Sequence, residues 1–239
     1  MATNMAPHNF GESISAVIDY INNEDIEIEE LMKSIKGPDF PTGAIILGKQ
    51  GIIDAYKTGR GKIQVRARAE IEEHKGRYKI VITEIPYQVN KTNLIVKIAD
   101  LVKNKSIEGI SNIRDLSSHK TGIKIDIDLK RDANPNVVLN NLYKNTQMQI
   151  TFGIINLCLV NGEPKVLNLK EIIKYYVDHQ RNVVRRRTQF DLEKAEARAH
   201  IIEGLKIALD NIDRIIKIVR ESSDDQEAKN KFTKEFGLT

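Results

Sequence analysis

The chain has 239 residues, 41% of them hydrophobic, enough for one large domain or two smaller ones with cores of their own. Its 37 Lys+Arg against 33 Asp+Glu leave a net charge of only +4, so the total does not imply nucleic acid and the clustering of cations carries the weight. One cysteine excludes an internal disulfide framework and suits a reducing compartment; without a signal peptide or an apolar run of membrane-spanning length, the protein is expected to be cytoplasmic with no membrane partner.

The first segment, Met1-Ala-Thr-Asn, starts without an element of its own, and the last, Phe236-Gly-Leu-Thr239, stops just past a charged helical stretch. Both ends are therefore expected to be cut from a larger polypeptide. Ile14, Val17, Ile18 and Ile21 recur at helical spacing, and a second short helix is expected over 28–35, giving a helical lead-in over 1–36. Gly37-Pro-Asp-Phe-Pro-Thr-Gly43 is a rigid connector. After a short buried strand over 44–47 and a helical turn over 51–56 comes Gly59-Arg60-Gly61-Lys62. Its glycines would let the backbone approach a ligand closely, and Arg60 and Lys62 could meet phosphates. It is not a P-loop, because Gly48-Lys49-Gln50 lacks the hydroxyl residue.

The run Ile63 to Ile71 alternates strictly, with Ile63, Val65, Ala67, Ala69 and Ile71 on one face and Gln64, Arg66, Arg68 and Glu70 on the other. With a turn at His74-Lys75-Gly76-Arg77 and a return strand over 78–85, it predicts a long β-hairpin whose outer face carries Arg66 and Arg68. Pro86 stops that strand, Asn90 is a good N-cap, and Leu94, Ile95, Ile98, Leu101 and Val102 follow at helical spacing. The junction gathers Tyr87, Gln88, Asn90, Lys91 and Asn93 at a helix N-terminus, a plausible anion seat. Spacing alone leaves open the plainer reading, a capped turn with a solvated lysine.

From Tyr78 the order is strand, helix, strand (109–116), strand (122–129), helix (134–143), strand (147–160), the split-βαβ arrangement of an antiparallel α+β domain over 37–167. Asn161-Gly162 marks a hairpin, and Asn168 with Glu171 makes a capping box. Behind it Leu169, Ile172, Ile173, Tyr176, Val177 and Val183 begin an apolar stripe that continues through Leu209, Ile212 and Val219 to Arg220. About 30 helical residues would reach roughly 45 Å, so 168–239 is expected to be a coiled-coil arm.

Other clusters read as structure. Arg181, Arg185, Arg186 and Arg187 point in several directions on the long helix and should be solvated or paired with Asp178, Asp191 or Glu193. Asp126 and Asp128 alternate with isoleucines on an outward strand face and should be solvated carboxylates rather than metal ligands. The histidines at 8, 74, 119, 179 and 200 are dispersed, so no zinc site is expected. Cys158, in an apolar run, should be a buried thiol, and no serine or cysteine carries a nucleophile signature.

Gly-Pro-Asp-Phe-Pro-Thr (37–42), Thr-Gly-Arg-Gly-Lys (58–62), Glu-Ile-Pro-Tyr-Gln-Val-Asn-Lys (84–91), Leu-Asn-Asn-Leu-Tyr (139–143) and His-Ile-Ile-Glu-Gly-Leu (200–205) occur in this order. Together they resemble the breakage–reunion subunit of bacterial type IIA topoisomerases, nearly end to end. Thr-Phe-Gly-Ile-Ile-Asn (151–156) looks more like the gyrase branch than topoisomerase IV. The resemblance implies a non-catalytic fragment, a tower domain plus the start of the coiled-coil arm. It would support gate-segment DNA during ATP-dependent double-strand passage and negative supercoiling. The alternatives are the equivalent part of topoisomerase IV, which decatenates, or a structural lever without DNA contact. The family's nucleophilic tyrosine follows an arginine in an Ala-Met-Arg-Tyr-Thr-like motif; only Tyr78 follows an arginine here, in a hairpin that does not match, so the fragment alone should be inactive. The resemblance also implies no cofactor in this piece, with Mg2+ and ATP held through the partner B protein of the enzyme. Its partners would be double-stranded DNA, the B protein of gyrase, and a second A chain in an A2B2 holoenzyme associated with the nucleoid, the isolated piece being monomeric. It maps Lys91 to the gate DNA, with Asn90 and Gln88 beside it, and makes Arg60, Lys62, Arg66, Arg68 and, more weakly, His8 and Asn9 candidate contacts.

Overall fold

The computed structural model describes residues 4–74, 76–118, 120 and 122–238, with His74 described by its backbone alone. Residues 1–3, Lys75 of the expected turn and His119 lie outside the described residues. The chain separates between Val177 and Asp178 into two compact units.

The first unit opens with α1 (Phe10–Asn22) and α2 (Ile28–Ser34). Asn9 caps α1, its side-chain oxygen accepting from the Glu12 N–H at 3.2 Å. Ala16 and Tyr20 are the buried residues of α1, whereas Ile14, Ile18 and Ile21 are exposed. Of the apolar stripe, Val17 packs against the core and the three isoleucines do not face it. Phe10, Ile14 and Ile18 instead line one wall of an apolar cleft of about 510 Å³, with Ile173 and Tyr176 opposite.

Next come β1 (Ile45–Leu47), α3 (Gln50–Thr58), β2 (Arg60–Arg66), β3 (Arg68–His74) and β4 (Arg77–Glu84). Then follow α4 (Lys91–Lys103), β5 (Ile110–Asp115), β6 (Ile125–Leu129), α5 (Pro135–Asn145), β7 (Gln149–Ile155) and the β8 (Leu157–Val160)/β9 (Glu163–Val166) hairpin. Asn161 and Gly162 make that hairpin turn, both with positive φ (52° and 86°). The strands form antiparallel sheets ordered β1-β2-β7, β3-β4-β6-β5 and β8-β9. The α+β class holds, with one change of topology. The last strand of the split-βαβ order, β7, pairs with β2 in the first sheet, and β3 takes the edge beside β4 that β7 would have filled.

The exchange happens at one crossing. The alternating run over 63–71 is two strands: Ile63 and Val65 enter the core shared by α1–α3 and β7, while Ala67 enters the core under α4 and α5. Met148 crosses in the same way, buried with Ala67 in the second core before Phe152 and Ile154 join the first. The Ala67 N–H donates to the Met148 carbonyl at 2.7 Å, and a bulge follows between Arg68 and Ala69. Each large side chain buried in these cores contributes about 1.5–3 kcal/mol, so the switch is fixed by which core each apolar residue can reach.

The helix α6 (Leu169–Asp210) starts with the expected box: Asn168 Oδ1 accepts from the Glu171 N–H at 2.8 Å, and Glu171 Oε2 accepts from the Asn168 N–H at 2.9 Å. Leu169, Ile173 and Val177 are buried in the first unit. In the second unit, the single helix expected to run to Arg220 breaks at Asn211 (φ −125°, ψ 32°) into α7 (Ile212–Glu221), followed by α8 (Asp225–Phe236). Arg214 forks onto Glu235, with Nε–Oε1 at 2.6 Å and Nη2–Oε2 at 3.1 Å, joining α7 to α8. Among the described residues, no helix is long and apolar enough to cross a membrane.

Candidate nucleic-acid interface

The two-residue repeat of β2 puts Arg60, Lys62, Gln64 and Arg66 on one face, and register sets them against Ile155, Gly153, Thr151 and Gln149 of β7. Arg60, Lys62 and Gln64 are exposed. Nothing lies within 4 Å of where a Cβ would stand on Gly153, so the sheet opposite Lys62 is open and bare. Among the described residues, neither Arg60 nor Lys62 has an ion-pair partner.

The neighbouring glycines act on the other face and not toward a ligand. A Cβ on Gly61 would stand 2.2 Å from the Gly51 carbonyl and 2.9 Å from the Ala55 nitrogen; one on Gly51 would stand 1.9 Å from the Lys62 carbonyl. These two glycines let α3 lie directly on β2. Gly59 ends α3 at φ 74°, where a Cβ would meet the Leu167 carbonyl at 2.5 Å. The close backbone approach read from the sequence is real, but it is the protein approaching itself.

Of the other cations on this run, Arg66 is held at the crossing between sheets. Its Nε donates to Gln149 Oε1 at 2.7 Å, and its guanidinium lies 4.5 Å from the centre of the Tyr143 ring. The Tyr143 hydroxyl donates to the Ala67 carbonyl at 3.3 Å, so Arg66 belongs to the joint rather than to a free outer face. Arg68 is half exposed and bridges Glu84 at 3.0 Å. His8 faces inward. Its Nδ1 donates to the Ala6 carbonyl at 2.9 Å, which leaves Nε2 to accept from the Tyr56 hydroxyl at 2.7 Å. Burial holds the imidazole below its usual 6.5 and pushes the Tyr56 phenol up. Asn9 is spent on its cap and on Asp39, to which its Nδ2 donates at 3.2 Å.

The strand-to-helix junction is a built turn. The Val89 N–H donates to the Pro86 carbonyl at 3.2 Å with Gln88 at φ 66°. Asn90 caps α4, accepting from the Asn93 N–H at 3.0 Å, so the cap consumes one of the helix donors assigned to the anion seat. Tyr87 is not part of the seat: it stacks on Phe40 at 5.3 Å and meets Phe152 edge-on at 6.2 Å, tying the junction to the first core. Lys91, the first residue of α4, is partly exposed and bound. Its Nζ lies 2.6 Å from Asp115 Oδ2, and the ammonium, with hydrogen bonds from Ser117, holds the Asp115 carboxyl down at about 2. The Lys91 ammonium is thus paired with a carboxylate from the end of β5. Sequence reading missed Asp115, since an ion pair between separate elements has no spacing signature.

Two further expectations need correction. Asp126 is buried, not solvated: Lys79 at 3.4 Å and Arg114 at 3.8 Å roof it over, and only Asp128, 2.9 Å from Arg114, stays partly exposed. Neighbouring strands in the β4-β6-β5 order supply those cations across the sheet. Cys158 is half-buried on β8 rather than buried, because β8 and β9 form a two-stranded hairpin of their own; partial burial pushes its thiol up. Among the described residues, no three His, Cys, Asp or Glu are grouped to hold a metal. Arg181 pairs with Asp178 at 3.9 Å on an exposed stretch of α6.

Comparison with known proteins fits this arrangement of motifs. The chain is 58% identical over its whole length to the DNA gyrase A protein of Clostridium acetobutylicum, and 55% identical to the DNA gyrase A proteins of Staphylococcus epidermidis and Staphylococcus aureus. It spans 29% of the first relative and 27% of the other two, less than a third of their length. The family model for the A protein of DNA gyrase and topoisomerase IV matches residues 1–239, so the chain belongs to that family.

Proposed function

We propose that this chain is the non-catalytic tower and arm portion of a gyrase-type A protein, and that it supports the gate DNA segment through phosphate contacts during strand passage. The observation that carries this reading is the outer face of β2, where exposed Lys62 stands opposite the bare Gly153 of β7 and exposed Arg60 lies beside it. A duplex backbone needs such a surface: cations that are not neutralised already, on a rigid sheet with bare backbone alongside. Lys91 and Arg68 are auxiliary contacts, each of which must first leave a carboxylate. Gln88 and Asn90 border Lys91 and would position rather than attract. Arg66 and His8 serve the sheet joint and the inner core. No base is read, so the contribution is to position and bend rather than to select sequence.

In this reading the transesterifying tyrosine, ATP and Mg2+ belong to other parts of an A2B2 enzyme, made with the gyrase B protein and acting on chromosomal DNA in the cytoplasm. Two facts agree with a non-catalytic role: Tyr56 is locked onto His8, and Tyr143 is spent on Ala67 and Arg66. Duplex binding of the A2B2 holoenzyme, measured against salt with a duplex of about 40 base pairs, tests the proposal. Removing both Arg60 and Lys62 should make the slope of log K against log salt shallower by about 1.8, since each phosphate contact contributes about 0.9. An unchanged slope would leave the lever reading, in which the unit transmits motion without touching DNA.

A further inference from the structure

We propose that Asp115 is a built-in competitor at the Lys91 anion seat, so that duplex DNA engages Lys91 only by exchanging this carboxylate for a backbone phosphate. The inference rests on the reading that Lys91 faces DNA and adds how that contact is controlled.

Three observations carry it. First, the carboxylate stands where a phosphate oxygen would. Asp115 Oδ2 is 2.6 Å from Lys91 Nζ, at the N-terminal residue of a 13-residue helix whose first N–H groups lie outside the Asn90 cap. Second, the exchange is sterically open. Both side chains are about a third exposed, and β5 is the edge strand of its sheet, so a ligand can reach the pair without disturbing the core. Third, Asp115 has a place to go. Its other oxygen accepts from the Ser117 N–H at 3.0 Å, so the carboxylate stays satisfied by the turn after β5 when Lys91 leaves. Glu84, the carboxylate on Arg68, differs in this respect: it also accepts from the Ala44 N–H at 2.5 Å, and so it joins two segments as well as holding a cation.

An exposed ion pair is a weak lock. A single small anion would gain little by breaking it. A duplex already anchored at Arg60 and Lys62 brings a local array of phosphates and releases counterions on contact, so the lock opens at the end of docking and not at its start. The seat then favours polyphosphate backbones over free anions.

The test is a double-mutant cycle in the A2B2 holoenzyme, with a duplex of about 40 base pairs at about 0.1 M salt. Asp115→Asn keeps the Ser117 hydrogen bond and removes the charge. It should tighten binding about threefold, the size of one exposed ion pair, and lower the melting temperature by no more than about 3 °C, the same ion pair being lost from the free protein. In a Lys91→Ala background the gain should vanish. A gain of equal size in both backgrounds would reduce Asp115 to general repulsion and overturn the proposal, as would no gain with wild-type Lys91. Lys91→Ala alone separates the two levels of inference: unchanged affinity refutes Lys91 as a DNA contact, whereas weakened affinity with an inert Asp115→Asn refutes only the competition. Asp115→Ser serves as a second variant should the asparagine perturb the edge strand.

Discussion

The two faces of the β2–β7 ladder differ more than their shared strands suggest. On the inner face, Gly61 is pressed against the Gly51 carbonyl and Ala55, and Ile63, Val65, Phe152 and Ile154 fill the first core. On the outer face, one residue along, Lys62 stands opposite Gly153, where a Cβ would touch nothing. Glycine is required on the inside because backbone sits where a side chain would go. On the outside it leaves a bare surface beside Lys62. The comparison teaches that a glycine-flanked cation pair is not one device: the glycines hold the strand down on its helix, and the cations are what the held strand displays.

The largest expected effect breaks the inner face. Gly61→Ala drives a methyl into two backbone atoms that cannot rotate away, and should cost about 3 kcal/mol. A loss of that size lowers the melting midpoint of a domain this large by roughly 6–12 °C, readable by calorimetry. Gly153→Ala, on the same pair of strands, should stay within about 0.5 kcal/mol of wild type. Equal destabilisation by the two would erase the distinction between the faces.

Next in size comes the outer face. Replacing Arg60 and Lys62 together by alanine should weaken duplex binding on the order of tenfold near 0.1 M salt while leaving the melting midpoint in place, because both cations are exposed and neither has an ion-pair partner among the described residues. A drop in stability would mean that these side chains support the fold. Gly153→Glu sharpens the point without removing a cation. Its carboxylate would sit across from Lys62 and neutralise it as Glu84 neutralises Arg68, weakening binding by about threefold with the fold intact.

Much of this arrangement was legible in sequence, and the limits have a physical cause. Alternation over 63–71 sorts inner from outer residues correctly, because each strand residue has only two faces to choose from. It is silent on which sheet each half joins, since Val65 and Ala67 obey the same repeat while entering different cores. The junction at Asn90 and Lys91 was readable because capping is local. The partners that set the state of its charges were not: Asp115 on Lys91, Glu84 on Arg68, and Lys79 and Arg114 on Asp126 come from other elements and depend on register alone. The break at Asn211 was hidden for a related reason. Leu209, Ile212 and Ile216 keep helical spacing across it, and neither glycine nor proline marks it.

The smallest predicted effect concerns His8, which the resemblance had placed toward DNA and which the fold puts behind the inner face, on Tyr56 of α3. Burial lowers its pKa from 6.5, so the folded state keeps the ring neutral where the unfolded chain would already take up a proton. The stabilisation is fully present above pH 6.5 and declines as pH falls below it, until the folded-state group itself titrates. Acidification from pH 7 to 5 should therefore lower the melting midpoint of the wild type more than that of His8→Gln, which keeps hydrogen-bonding capacity without the proton uptake. Parallel midpoints across that range would mean that the ring meets water in solution, and would return His8 to the list of groups free to reach a phosphate.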